Sequence, residues 1–211
     1  MMDIYRLLRI QLFEWRYQRL LGIIPLFVFC ASLLVIVRDS SELHLSIQIV
    51  HSLYLPWISW SVILYFQPLY DTGAYYTLIP HYRKWISLNF VFLFTFYVMG
   101  YLLLLFNIDG AFRLLQTNPL ILVHHLLLLT LFWWLGAALV LLLKSFEYAI
   151  ALVLTYTLIE VITRGEFMPW PHIFYFHEYY DLTIYIQKIS LIVFISLVFV
   201  CLALVRLYKR D

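Results

Sequence analysis

The chain has 211 residues, of which 64% are hydrophobic and only 12% charged. Water-soluble domains carry roughly half apolar and about a quarter charged residues, so a soluble fold with a single core is excluded and lipid is the expected solvent for most of the surface. The net charge of +2 is small, and its meaning lies in where the charges sit.

Aromatic residues make up 19%, with 17 Tyr and 7 Trp; Tyr and Trp favour the membrane–water boundary. Cys30 and Cys201 both fall within apolar runs, which reads as core or lipid-facing thiols and not as a disulfide or metal pair. No short apolar stretch with a small-residue cleavage site opens the chain, so no removable signal peptide is expected. One membrane domain, 1–211, is the predicted organisation.

Residues 1–19 come first, carrying Arg6, Arg9, Arg16 and Arg19 among apolar positions. At helical spacing the four arginines share a sector of about 140°, which predicts a helix lying in the interface with its cations towards anionic headgroups. A frayed basic tail is the plainer alternative. Nucleic-acid binding is disfavoured, because the basic residues are few and abut a lipid-bound segment.

Six apolar runs follow, at 20–37, 45–66, 86–106, 119–143, 146–163 and 185–207. Each is near the roughly 20 residues that a helix needs to cross the hydrocarbon. The second is interrupted by His51, Pro56 and several Ser, and a kink is expected there; neighbouring helices make a lone proline tolerable. Lys144 to Glu147 leave room only for a tight antiparallel hairpin between the fourth and fifth runs.

With the N-terminus inside, the inner segments hold ten Lys and Arg: Arg6, Arg9, Arg16, Arg19, Arg83, Lys84, Lys144, Arg206, Lys209 and Arg210. The outer segments hold four: Arg38, Arg113, Arg164 and Lys188. The basic excess predicts both termini in the cytoplasm. Asn107 to Asn118, with Asp109-Gly110, reads as an ordinary outer turn with a short interfacial helix. Arg164 to Ile184 is too apolar for a free loop and is broken by Pro169 and Pro171; it predicts a re-entrant hairpin buried against other helices.

Chemical motifs are sparse. A phosphate-cradling loop, a Gly-x-Ser-x-Gly elbow and a His-Glu-x-x-His pair are all absent, so no catalytic residue, bound cofactor or metal is assigned to this chain. His172 and His177-Glu178 are metal-ligand types, but their spacing is not helical and interfacial polar residues are the preferred reading. His124 and His125, adjacent in the fourth run, point about 100° apart, so at most one easily faces a cavity. They read as buried hydrogen-bonding groups or as part of a cargo path. Glu160, near the outer end of the fifth run, is expected either to pair with Arg164 one helical turn on or to line that path.

The longest inner polar interruption is Gln67 to Trp85. Thr72 to Ile79 could make two helical turns before Pro80 and the basic pair Arg83-Lys84. Tyr75, Tyr76, Leu78 and Ile79 would present an apolar knob, and Asp71 would complement the helix dipole. A solvated loop is the alternative. This layout, with Asp71, Gly73, Leu78, Pro80, Arg83 and Lys84 in sequence, resembles the membrane permease of an ABC-type-2 exporter.

The resemblance implies an all-α membrane protein with six transmembrane helices, an N-terminal interfacial helix, a cytoplasmic coupling helix and an outer re-entrant hairpin. Asp71, Gly73, Tyr75, Tyr76, Leu78, Pro80, Arg83 and Lys84 would seat on a cytoplasmic ATP-binding cassette subunit carrying ATP and Mg. A second permease subunit would complete a homodimer or heterodimer surrounded by membrane lipids. Cargo, an amphipathic lipid or a hydrophobic or antimicrobial peptide, would pass His124 and Glu160 and an aromatic lip of Met168, Trp170, Tyr175 and Tyr179. A bacterial plasma membrane is the expected location. A non-transporting immunity or resistance protein, and an intramembrane enzyme using Glu160, His124 or His125, are the competing readings.

Overall fold

The computed structural model describes residues 19–38, 50–71, 75–107, 120–163, 173–174 and 182–208. Among them the secondary structure is helical, with no strand. We label the helices α1 (Arg19–Arg38), α2 (Pro56–Phe66), α3 (Pro68–Asp71), α4 (Tyr75–Asn107), α5 (Leu120–Leu143), α6 (Phe146–Thr163) and α7 (Leu182–Tyr208). A π-helical turn, Val50–Tyr54, precedes α2. Among the described residues four helices are long and apolar enough to cross a membrane, over Tyr75–Leu104, Leu122–Leu143, Phe146–Thr163 and Ile186–Tyr208. The expected interfacial helix, the Asn107–Asn118 turn beyond α4 and nearly all of the expected re-entrant hairpin lie outside the described residues. From that hairpin only Ile173, Phe174 and the first turn of α7 are described.

Where a kink was expected in the second apolar run, the helix changes type. A π turn widens the helix by one residue per turn, and Pro56 then sits at the first position of α2. There the missing N–H would have had no helical acceptor anyway. The hairpin between α5 and α6 is as tight as its four residues require. Lys144 adopts a left-handed backbone, φ 54°, and its N–H reaches the Val140 carbonyl at 3.0 Å, which closes the end of α5. Ser145 then caps α6: its hydroxyl accepts from the Tyr148 N–H and donates to the Glu147 carboxylate at 2.7 Å.

One expectation is corrected. The polar segment before the third apolar run contains no separate helix ending at Pro80. Tyr75 to Trp85 are the first turns of the 33-residue helix α4, which runs straight through Pro80. Pro80 is the sixth residue of α4, just past the first four positions, whose N–H groups have no acceptor within the helix, so it removes a single early hydrogen bond, and the residue is exposed.

The bundle is organised around α5. Some 56% of the spanning part of α5 is buried, against 28% for α4, 22% for α6 and 17% for α7, so α5 is the hub and the others show lipid a broad face. It packs most extensively on α7 and then on α2. The α2 seam is close because its residues are small. Ser59 donates to the Phe132 carbonyl, and a methyl group at Gly136 would stand 2.6 Å from the Ser59 carbonyl oxygen. Backbones approach this closely in membranes only where small residues line the contact. On the outside, Ile162 on α6 and Phe194, Leu197 and Val205 on α7 are exposed, and Cys30 and Cys201 are free, exposed thiols.

Candidate functional site

Successive helices run antiparallel, so a residue late in one helix and a residue early in the next share a depth. His51 is the second residue of the π turn before α2. Tyr101 lies near the end of α4, His124 and His125 near the start of α5, Glu160 near the end of α6 and Lys188 near the start of α7. All six therefore stand at one end of the bundle, and five of them, Lys188 excepted, are buried there.

Three histidines form the centre. His51 Nε2 and His125 Nε2 are 2.8 Å apart, one donating and the other accepting. The His51 ring lies 4.6 Å from that of His125 and 6.0 Å from that of His124. One ring nitrogen from each histidine lies within 4.8 Å of one from each of the others. Aromatic neighbours fix two of the rings: Tyr101 stacks on His125 with centroids 4.9 Å apart, and Phe174 stacks on His51 at 5.2 Å. The π turn that carries His51 belongs to a class of helix defect that frequently marks functional sites.

Beside the cluster, Ile173 and Phe174 pass through the interior without helical hydrogen bonds, and side chains from three helices supply what the backbone needs. The Glu160 carboxylate accepts from the Ile173 N–H at 2.9 Å and the Phe174 N–H at 3.3 Å. His124 Nε2 bonds the Ile173 carbonyl at 3.0 Å, and Lys188 Nζ donates to the Phe174 carbonyl at 3.0 Å. Every backbone polar group of the dipeptide is thus held by α5, α6 or α7. An unmet amide in an apolar interior costs several kcal/mol (about 2–7 by transfer measurements), which is why a carboxyl side chain is worth its burial here.

The contacts of this clasp bear on two expectations. Glu160 was expected to pair with Arg164 or to line the cargo path; Arg164 lies outside the described residues, and Glu160 accepts from main-chain amides. His124 and His125 were expected to be buried hydrogen-bonding groups or part of that path, with at most one easily facing a cavity; both are buried and hydrogen-bonded in the same cluster. The reason is that α5 is covered on several sides, so two side chains about 100° apart both meet protein, and His51 comes between them. Of the other expected cargo-path residues, Met168, Trp170, Tyr175 and Tyr179 lie outside the described residues.

At the far end of the bundle the expected partner-binding residues separate. Tyr76 is 77% exposed, and Thr77, Pro80 and Lys84 are exposed beside it. Tyr75 and Leu78 are half-buried against the core and Ile79 is buried, so the expected apolar knob is reduced to Tyr76. Arg83 donates through Nε to the Leu207 carbonyl, and its guanidinium lies 5.9 Å over the Tyr208 ring. Asp71 closes α3, and Gly73 lies outside the described residues.

Protein-family models, curated proteins and solved structures give no match to this chain.

The sequence reading missed His51, Tyr101 and Lys188. His51 had been treated only as an interruption of an apolar run. The missing signal was depth. With alternating helix directions, every polar group within five to ten residues of the same membrane face belongs on one list, and that list contains the whole cluster.

Proposed function

We propose that the chain is the membrane-spanning subunit of an ATP-driven exporter that works with a separate cytoplasmic ATPase. The observation that carries this reading is the continuity of α4. Tyr76, Thr77, Pro80 and Lys84 form an exposed edge on the same rigid helix that reaches Tyr101 at the histidine cluster. A partner that pulled on this edge would tilt α4 as one continuous helix. Over roughly 25 residues a helix is about 37 Å long at 1.5 Å per residue, so α4 spans the hydrocarbon.

The basic excess supports a cytoplasmic location for this edge and for both termini, with the six apolar runs as spans and a bacterial plasma membrane as the setting. Two such subunits would enclose the cargo path, and the histidine end would open outward. The absence of a phosphate-binding loop from the sequence leaves ATP and Mg to the partner.

The test is co-purification. The chain is expressed with its genomic neighbours, solubilised gently and captured, alongside a variant carrying Tyr76→Asp and Lys84→Glu. Both substitutions sit on exposed positions and should leave the bundle intact. Recovery of an ATP-binding subunit with the wild type and its loss from the variant is the expected result. Failure of any such subunit to associate in nucleotide-free, ATP or ADP conditions overturns the reading.

A second reading, an intramembrane acid–base enzyme, is favoured by the convergence of Glu160 with three histidines. It requires that Glu160→Gln abolish activity while assembly with the ATPase is unnecessary, so the same pull-down separates the two.

A further inference from the structure

We propose that His51, His124 and His125 form a binding site for a single transition-metal ion of the borderline, imidazole-preferring kind, with Zn2+ and Co2+ as the probes. Three ring nitrogens already lie within 4.8 Å of one another in a buried setting. Bonds of about 2.0–2.1 Å to a tetrahedral ion place ligand nitrogens about 3.3 Å apart, so the cluster needs only sub-ångström to ångström adjustments of side chains. The ion would displace the 2.8 Å hydrogen bond between His51 and His125 and take both nitrogens as ligands.

The surroundings fit this use. A carbonyl oxygen only accepts, so the 3.0 Å contact between His124 Nε2 and the Ile173 carbonyl puts the His124 proton on Nε2 and its lone pair on Nδ1. Metal-bound histidines are commonly oriented in this way, with the second ring nitrogen donating to a backbone carbonyl. The stacked rings of Tyr101 and Phe174 hold His125 and His51, so little side-chain freedom remains to be lost on binding. Glu160, hydrogen-bonded to the amides of Ile173 and Phe174, puts one carboxylate beside the dipeptide that His124 also grips. Lys188, on the Phe174 carbonyl, is a cation in the same region and opposes the ion.

Three imidazoles and no thiolate select ions such as Zn2+, Co2+, Ni2+ or copper over Mg2+ or Ca2+. With three protein ligands a fourth position is left for water or for a donor atom of the cargo. The ion would tie the π turn before α2 to the start of α5, so its occupancy bears on whether that end of the bundle can open.

The experiment is metal analysis of the purified chain in detergent after loading with Zn2+ and removal of excess, with the visible d–d absorption of Co2+ as the readout of tetrahedral nitrogen ligation. The chain has seven histidines. One variant replaces the four outside the cluster, His44, His81, His172 and His177, with Ala; a second carries His51→Phe, which keeps a ring against Phe174. One ion per chain in the wild type and in the first variant, with at least a tenfold weaker affinity in His51→Phe, is the expected outcome. No ion in the wild type overturns the proposal, as does an ion that disappears with the four outlying histidines or binds undiminished in His51→Phe. If His51→Phe does not fold, the wild type and the four-histidine variant alone decide the matter, because neither alters the cluster. ATPase association does not enter the readout, so failure here is distinct from failure of the exporter reading.

Discussion

The two ends of the bundle use similar polar residues for different purposes. At the histidine end, His51, His124, His125 and Glu160 are buried, and His124 and Glu160, with Lys188, serve a stretch of non-helical backbone. At the opposite end, Arg83 is half-buried on the Leu207 carbonyl and Lys84 is exposed, 5.3 Å over the Trp85 ring. These cations stand at the ends of regular helices, where Arg83 meets a last-turn carbonyl of α7 and Lys84 projects from an early turn of α4. The difference teaches that the cost of removing a polar side chain depends on what it leaves behind. At the first end an orphaned amide or carbonyl remains in an apolar interior; at the second, water takes the place of the lost group.

The comparison is tested most severely by Glu160→Leu. The substitution keeps an apolar side chain in the space and leaves the Ile173 and Phe174 amides without their acceptor. Two buried donors at about 1–3 kcal/mol each predict a loss of roughly 2–6 kcal/mol, read as a lowered midpoint in SDS or thermal unfolding in micelles. Glu160→Gln retains a side-chain oxygen and should recover most of that loss. Equal damage from both variants would mean that the charge, and not the acceptor, is what the clasp requires.

Next in size is the seam midway between the ends. Gly136→Val places atoms against the Ser59 carbonyl, where even a single methyl would be 2.6 Å away. Backbone cannot yield as a side-chain tip can, and overpacking of this kind costs about 1–3 kcal/mol. The expected signature is a lower unfolding midpoint with unchanged helix content by circular dichroism. Undiminished stability would show that α2 and α5 slide apart easily, and that the histidine cluster is not held by this seam.

How much of this was legible in the sequence follows from the same physics. Helices α5 and α6 and the turn between them were readable almost to the residue, because an apolar run has one solution in lipid and Lys144-Ser145 cannot span a longer connection. The start of α4 was not. Pro80 and the polar residues around it suggested a break, yet a proline that early in a helix forfeits only one hydrogen bond, and the apolar side chains of Ile79, Tyr82 and Ile86 hold that stretch on the core. The site was half legible. Glu160 and His124 stood out as ionisable groups in apolar runs. The partners of Glu160 were hidden because they are main-chain amides of Ile173 and Phe174, which no side-chain pattern encodes. His51 was hidden because its partners lie 73 and 74 positions away, and only the antiparallel packing of the bundle brings them together.

The smallest effect belongs to the end of α7. Tyr208 is exposed; its hydroxyl donates to the Arg83 carbonyl at 3.1 Å, and its ring supports the Arg83 guanidinium. Tyr208→Phe deletes the hydrogen bond and keeps the ring. Water can replace the hydroxyl at an exposed carbonyl, so the stability change should stay within about 0.5 kcal/mol, an order below that of Glu160→Leu in the same unfolding assay. A loss comparable to that of Glu160→Leu would dissolve the contrast between the ends: it would mean that the Arg83 carbonyl is sealed from water in the working protein, as it would be beneath a docked subunit. Repeating the measurement with and without the proposed ATPase partner, where one co-purifies, then distinguishes the cases. In the isolated chain the effect should be near zero, and in the complex it should grow only if the partner covers the junction of α4 and α7.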